Sequence, residues 1–381
     1  MIFLTLLLFL ELCGIIMFNG INTQMGCDNI KAKCYTYRMW IKKRNSKNLE
    51  KRTKRKKYVR DIKSKPLDKR FCENYDPKTN SFTFPVPLDF SFLSNPTETI
   101  KFFNSMIDII TQQRKSKLNI YIDISNVQNL SIDALMYLLA IINNLRNKFR
   151  NKVFIYGNCP SDPNINKLFK ESGFYKFVKS TSILPFVKDS NTIQIVNGKN
   201  SDTEIAKQIS DFVSNKTGLT RTECNFIYIM MIELMSNTHK HAYNGSTLLY
   251  NRWYCFCRYD QSHSRISFTF MDTGAGIPTT VRRNFAEKLD IFKIIGEHRY
   301  VTSALDGKFR TATNLSYRGK GLPRIRQFCS DGKICNLRII TNKADIKVNG
   351  AKYDAKELYS SLCGTLYYWE IINKEKIGYE D

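Results

Sequence analysis

Four polar side chains interrupt an apolar run, NFIYIMMIELMSNTHKHAY. Glu233, Asn237, Lys240 and His241 stand at i, i+4, i+7 and i+8, which on a helix forms a single stripe. An Asn in that stripe offers a neutral oxygen to a hard ion such as Mg²⁺, which keeps waters and binds phosphate oxygens. A Glu one turn earlier can orient or deprotonate a water. Lys and His one turn later can meet phosphate charge. An ordinary amphipathic helix with a polar face would show the same spacing, so the stripe alone does not decide the chemistry. Downstream lies ISFTFMDTGAGIP, 266–278. Ile266, Phe268 and Phe270 alternate with Ser267 and Thr269, the period of a strand. That strand ends at Asp272, followed by Gly274 and Gly276. A carboxylate there can accept a hydrogen bond from the exocyclic amine of adenine, and glycines let the backbone approach a ligand where a Cβ would clash. YRGKGLPRI, 317–325, then brings Arg318, Gly319, Lys320 and Gly321, and LCGTLYYWEI brings Gly364 and Thr365.

The elements that must position these residues are legible. SDTE, beginning at Ser201, reads as a capping box with Glu204. Ile205, Ile209 and Phe212 give its helix an apolar stripe. A second helix is expected from near Thr222, and strands at 266–272, Leu337–Thr341 and Gly364–Ile372. In this order the motifs resemble the GHKL ATPases, the family of gyrase, Hsp90, histidine kinases and MutL, over about residues 195–375. ELMSNTHKHA is similar to the family's N-box, DTGAGI to its DxGxG box, Gly319 and Gly321 to its second glycine box, and Gly364-Thr365 to the pair that closes its nucleotide pocket. The resemblance implies an α/β sandwich with a mixed sheet and helices on one face, and ATP with Mg²⁺ as cofactors. It implies Glu233 as the catalytic residue and Asn237 as the metal ligand. Asn237, Lys240, His241, Asp272, Gly274, Gly276, Gly319, Lys320, Gly321 and Thr365 are then the nucleotide-binding set. The basic and polar stretch 278–318 would be a mobile lid, and the second glycine box would present backbone N–H groups to phosphates at a helix start.

Upstream, Asn95-Pro96 opens a helix carrying Ile100, Phe103, Ile107 and Ile110. LNIYIDIS, 118–125, alternates as a half-buried strand. Ser131 precedes a helix with Leu135, Leu138, Leu139, Ile142 and Leu145, and VFIYG, 153–157, is a further strand. A short helix, Asn164–Ser172, stops at Gly173. This order resembles a STAS domain, the anti-anti-sigma fold, over about residues 96–185. The resemblance implies a protein partner. The position of the family's phosphorylated serine falls on Asp133, with Ser131 out of register, so a scaffold role is expected rather than a phosphoswitch.

The chain therefore reads as α/β, with residues 1–75 an apolar start and basic segment, 76–190 a STAS-like domain and 191–381 a GHKL domain. Hydrophobic residues make up 43% and aromatics 13%, which excludes wholesale disorder. The net charge of +25 is uneven: Lys31–Arg70 holds eighteen Lys or Arg against Glu50, Asp61 and Asp68. This segment, with KKRNSKNLEKRTKRKK at 42–57, reads as a solvated tail or as an unspecific contact for nucleic acid or anionic membrane. Met1–Met17 is almost wholly apolar, broken by Glu11. It reads either as upstream of a true start at Met17, Met25 or Met39, or, over residues 1–22, as an anchor. The expected location is cytoplasmic, or the cytoplasmic face of a membrane if the anchor is real. The eleven cysteines contain no CxxC pair, so free thiols are expected and a zinc site is not. None of the four histidines precedes the N-box, which excludes a histidine kinase of the usual order. Few residues follow Ile372, so no transducer domain is expected there. What remains is a slow ATPase or a protein Ser/Thr kinase, with a non-catalytic, nucleotide-gated binding module as the alternative. Either can form a homodimer.

Overall fold

The computed structural model describes residues 45–46, 74–112, 117–149, 152–178, 189–241, 251–284, 296–309 and 321–372. The apolar start and nearly all of the basic segment lie outside them. Contacts divide the chain into two units, Met1–Asp68 and Lys69–Asp381, and every element below belongs to the second.

The N-terminal part of this unit is a four-stranded sheet ordered β1 (Tyr75–Asp76), β2 (Ser81–Pro85), β4 (Leu118–Asp123), β6 (Val153–Gly157). β2, β4 and β6 run parallel. β3 (Asp89–Phe90) and β5 (Asn129–Leu130) pair separately. β4 buries Leu118, Ile120 and Ile122 and turns Asn119, Tyr121 and Asp123 the other way, as the alternation predicts. Helix α1 (Pro96–Gln112) begins at its proline, whose missing N–H costs nothing at that position. Helix α2 (Ile132–Phe149) buries every residue from Asp133 to Ile142. A helix buried all round needs cover on both sides. It packs on β6 of its own sheet and on two strands of the next. α3 (Pro163–Ser172) is capped by the Asp162 side chain and stopped by Gly173 at φ 77.

The C-terminal part is a five-stranded sheet ordered β10 (Cys335–Asn349), β11 (Lys352–Ile372), β9 (Arg265–Asp272), β8 (Trp253–Asp260), β7 (Thr192–Gly198). The chain is α/β, as expected. In detail, these strands pair antiparallel throughout rather than as a mixed sheet. Helices also cover both faces rather than one. Helices α4 (Thr203–Thr217), α5 (Asn225–His241) and α8 (Gly321–Ser330) bring Ile209, Met230, Leu234 and Ile325 into a core with Phe268, Phe270, Ile339 and Trp369. On the other side, α2 meets β8 and β9, and α1 meets β11. The Tyr137 hydroxyl donates to Cys363 O at 3.0 Å, and Asn104 Nδ2 to Ser361 O at 3.1 Å. Arg338 donates bidentately to Asp345 at 2.8 Å and also reaches Leu93 O. The result is a stack of helices, antiparallel sheet, helices and parallel sheet.

Three local expectations change. The cap of α4 is Asp202, whose carboxylate accepts from Glu204 N and Ile205 N at 3.0 Å, not Ser201. The expected strands 337–341 and 364–372 are the outer parts of one long hairpin, which turns at Gly350 (φ 59). β7 was not anticipated. Cys255 and Cys257 are buried and free. Among the described residues no helix is long and apolar enough to cross a membrane.

Because α2 is shared, removing its core atoms should weaken both sheets together. Leu139→Ala, at a position with no exposed surface, should cost about 2–5 kcal/mol. The fluorescence of Trp253 and Trp369, measured with Trp40→Phe as background, should report that loss at the same urea midpoint as far-UV dichroism. A tryptophan transition left unmoved would mean the two sheets fold independently.

Candidate functional site

β9 ends at Asp272 in the middle of the antiparallel sheet, opposite Thr365 on β11 and Trp253 on β8. Asp272 is 8% exposed. Its carboxylate accepts from Gly274 N at 2.8 Å and from the Thr365 hydroxyl. Burial outweighs these two bonds and pushes its pKa up to about 6. The half-buried Cys363 thiol is pushed up to about 11 by desolvation and by the neighbouring Asp272 carboxylate.

The turn after Asp272 is pinned from β10. Thr341 Oγ1 accepts from Ile277 N at 3.0 Å and lies 3.2 Å from Thr365 Oγ1. Asn342 sits at a strand irregularity with φ 49. It donates to Ala275 O at 3.1 Å and accepts from the Thr279 hydroxyl at 3.1 Å. Gly276 has φ 84, and a Cβ there would lie 2.4 Å from Asn342 Oδ1. Gly364 has φ 123, and its Cβ would lie 2.0 Å from Asp272 O. Both positions therefore require glycine.

The polar stripe lies on α5. Glu233 and Asn237 are half-buried there, and the start of α8 sits directly against them. A Cβ on Gly321 would be 2.8 Å from Glu233 Oε2 and 3.5 Å from Asn237 Nδ2. Arg324, one turn into α8, places Nη1 3.3 Å from Glu233 Oε1. The N-terminus of a helix thus meets an acid, an amide and a guanidinium.

The structure brings Glu233, Asn237 and Gly321 together, and separately Asp272, Gly274 and Thr365 beside Gly276. Ile277 and Leu322, next to one group each, pack on the same small cluster of Val281, Tyr300 and Ala304. Lys240 and His241 fall in the last turn of α5, with side chains outside the described residues. Gly319 and Lys320 also lie outside them, with Arg318. Of the expected lid, α6 (Ile277–Asn284) and α7 (Glu297–Leu305) are helices. Glu297 accepts from Lys343 N at 2.8 Å, and Asp306, just after α7, accepts from the Tyr353 hydroxyl at 2.7 Å. This part of the stretch is docked on the β10–β11 hairpin, and 285–295 and 310–320 lie outside the description. The sequence reading missed Arg324 and the Thr341-Asn342 pair. The only signals for them were the position of Arg324 three residues after Gly321 and a polar doublet ending the apolar strand LRIITN.

Among the described residues no group of three or more His, Cys, Asp or Glu side chains could hold a metal. No protein-family model matches the chain. No curated protein matches it in sequence.

Asp272 gives a test by pH. A carboxylate with a folded pKa near 6 and an unfolded one near 3.9 binds its proton more tightly in the folded state. Folding stability should therefore fall as pH rises from about 4 to about 6, and stay low above. The penalty is on the order of 2–3 kcal/mol, since one pKa unit is about 1.4 kcal/mol. In urea titrations, Asp272→Asn should lose this dependence and gain on wild type above about pH 6. Parallel stability curves for the two proteins would remove the buried-charge account.

Proposed function

We propose that this chain is an ATP-binding regulatory protein with a C-terminal domain of the GHKL type and a STAS-like domain before it. One observation carries the reading. Gly321, at the start of α8, is pressed against Glu233 and Asn237, while a buried carboxylate, Asp272, ends the central strand beside a glycine turn. A glycine at a helix start leaves room for phosphate oxygens at the backbone N–H groups. A buried carboxylate suits the one strong donor edge of adenine.

The residues fit the cofactors. Asp272, with Gly274 and Thr365, would take the adenine. Gly276 keeps the turn clear, and Gly321, with Gly319, would face the phosphates. Lys240, His241 and Lys320 would add charge. Asn237 would give the Mg²⁺ its protein ligand, and phosphates and water the rest, the usual pattern for this ion. The ion would neutralise phosphate charge. Glu233 would hold a water or an acceptor hydroxyl and take its proton, giving either slow ATP hydrolysis or transfer to a protein Ser or Thr.

A second reading rests on Arg324. Its guanidinium already engages the Glu233 carboxylate, at an oxygen that a water or acceptor hydroxyl would need. In this reading nucleotide binding only gates a protein contact. A partner would meet the STAS-like part away from α1 and α2, whose apolar faces are spent within the chain.

Magnesium-dependent ATP binding should be lost in Asn237→Ala and should exceed GTP binding in a calorimetric titration. Glu233→Ala should keep ATP affinity and lose about 10²–10⁴-fold in γ-phosphate release or transfer. If wild type and Glu233→Ala give the same background release and label no protein, the gating reading replaces catalysis. If neither protein binds ATP, the proposal fails.

A further inference from the structure

The helices of the parallel sheet cover one of its faces, and the opposite face is aromatic. Successive residues on a strand alternate faces, so Asn119 and Tyr121 share the outer side of β4, and Phe154 and Tyr156 share that of β6, while Lys117 and Lys152 each stand one residue before their strand. Tyr121 pairs with Tyr156 across the strands, and Asn119 with Phe154. The Tyr121 and Tyr156 rings stand 5.3 Å apart at 61°. Phe154 is 47% exposed and Tyr156 49%, so a large part of each ring meets solvent. Aromatic residues two apart on an edge strand are a poor choice for a surface with no occupant.

Charge narrows the occupant. Leu118 and Val153 are paired, so the exposed Lys117 and Lys152, each just before its strand, lie at the same end of the sheet. Neither forms an ion pair with the described residues. Two like charges at one end repel each other and call for an anion. At the opposite end Asp123 is held by Ser125 and Asn158 and kept below the usual carboxylate range. Beside the rings, Thr83 lies in register with Tyr121 and offers a hydroxyl. Flat rings about 7 Å apart along a strand, cations at one end and a hydroxyl alongside match the parts of one ligand. Bases stack on the rings, phosphates meet the lysines and a ribose 2′-hydroxyl meets Thr83.

We infer that the outer face of the parallel sheet binds single-stranded RNA, with Phe154 and Tyr156 as stacking platforms and Lys117 and Lys152 as phosphate contacts. This inference stands apart from the nucleotide site, because none of its residues belongs to it.

The test is fluorescence anisotropy of the full chain with labelled oligouridylate of about twelve nucleotides. Oligothymidylate and duplex RNA of the same length serve as comparison arms. The basic segment 31–70 is unchanged in every variant, so differences between variants report this face. Phe154→Ala with Tyr156→Ala should weaken the single-stranded RNA complex on the order of tenfold for each ring removed, and leave duplex binding unchanged. Tyr156→Trp, which keeps a stacking surface, should retain affinity and guards against a folding defect. Lys117→Gln with Lys152→Gln should reduce the salt slope by about 0.7 for each lysine. Wild-type affinity in the double alanine variant would overturn the inference, as would equal losses for single strand and duplex. Equal affinity for oligothymidylate would overturn the assignment to RNA. A wild-type dimer that the double alanine variant dissociates would instead make the occupant a second copy of the chain.

Discussion

A carboxylate at the end of a central strand, almost entirely out of water, has to be partnered or protonated. Much of the C-terminal architecture is arranged around that requirement at Asp272. Gly274 N–H and the Thr365 hydroxyl supply its hydrogen bonds. Gly364, just before Thr365, takes a backbone conformation that side chains rarely adopt, at a point where a Cβ would run into the Asp272 carbonyl. Thr341 and Asn342 then fix the turn that follows. These bonds do not fully offset burial, so the site keeps an acceptor whose desolvation a donor-bearing ligand would relieve. Strain and unmet polarity of this kind are worth retaining where a ligand binds.

The same strand segment joins the two halves of the molecule. Cys363, directly before Gly364, presents its carbonyl to Tyr137 on α2. Tyr137 is buried and touches Phe92 and Phe103, with ring centroids at 5.3 and 4.7 Å. A shift of the aromatic layer under the parallel sheet would therefore reach the floor of the candidate nucleotide site through one hydrogen bond and one residue of backbone. Asp133 lies nearby, fully buried, with one carboxylate oxygen unpartnered in the described structure and burial raising its pKa. The position that the STAS resemblance sets against a phosphorylated serine thus faces the inside of the stack rather than solvent.

Strand and helix periodicity made most individual elements legible. Alternation located β4 and β9, the short apolar run VFIYG located β6, and Pro96 and Gly173 marked helix ends by mechanisms the structure keeps. Their assembly was not legible. Apolarity all round α2 was present in DALMYLLAII, but it could equally mean a tightly packed small domain. Only the stack shows a second sheet on its far side. The inner half of the β10–β11 hairpin was hidden by its charges, since Asp345 is buried with Arg338 reaching it across a strand irregularity and Lys356 pairing with it from β11. The Asn349-Gly350 turn was the available signal. In the site, Glu233, Asn237 and Asp272 were legible from residue type and spacing. Arg324 was not, because its role depends on how α8 lies on α5.

The central claim is that Asp272 and the Gly321 end of α8 serve one ligand, an adenine nucleotide with magnesium. Hydrogen–deuterium exchange of the full chain, with and without Mg-ATP, tests it most directly. The account predicts slower exchange at 272–277, 321–326 and 363–366 together, and little change on β2, β4 and β6. Protection at only one of the two glycine segments, or none at saturating Mg-ATP, would contradict it.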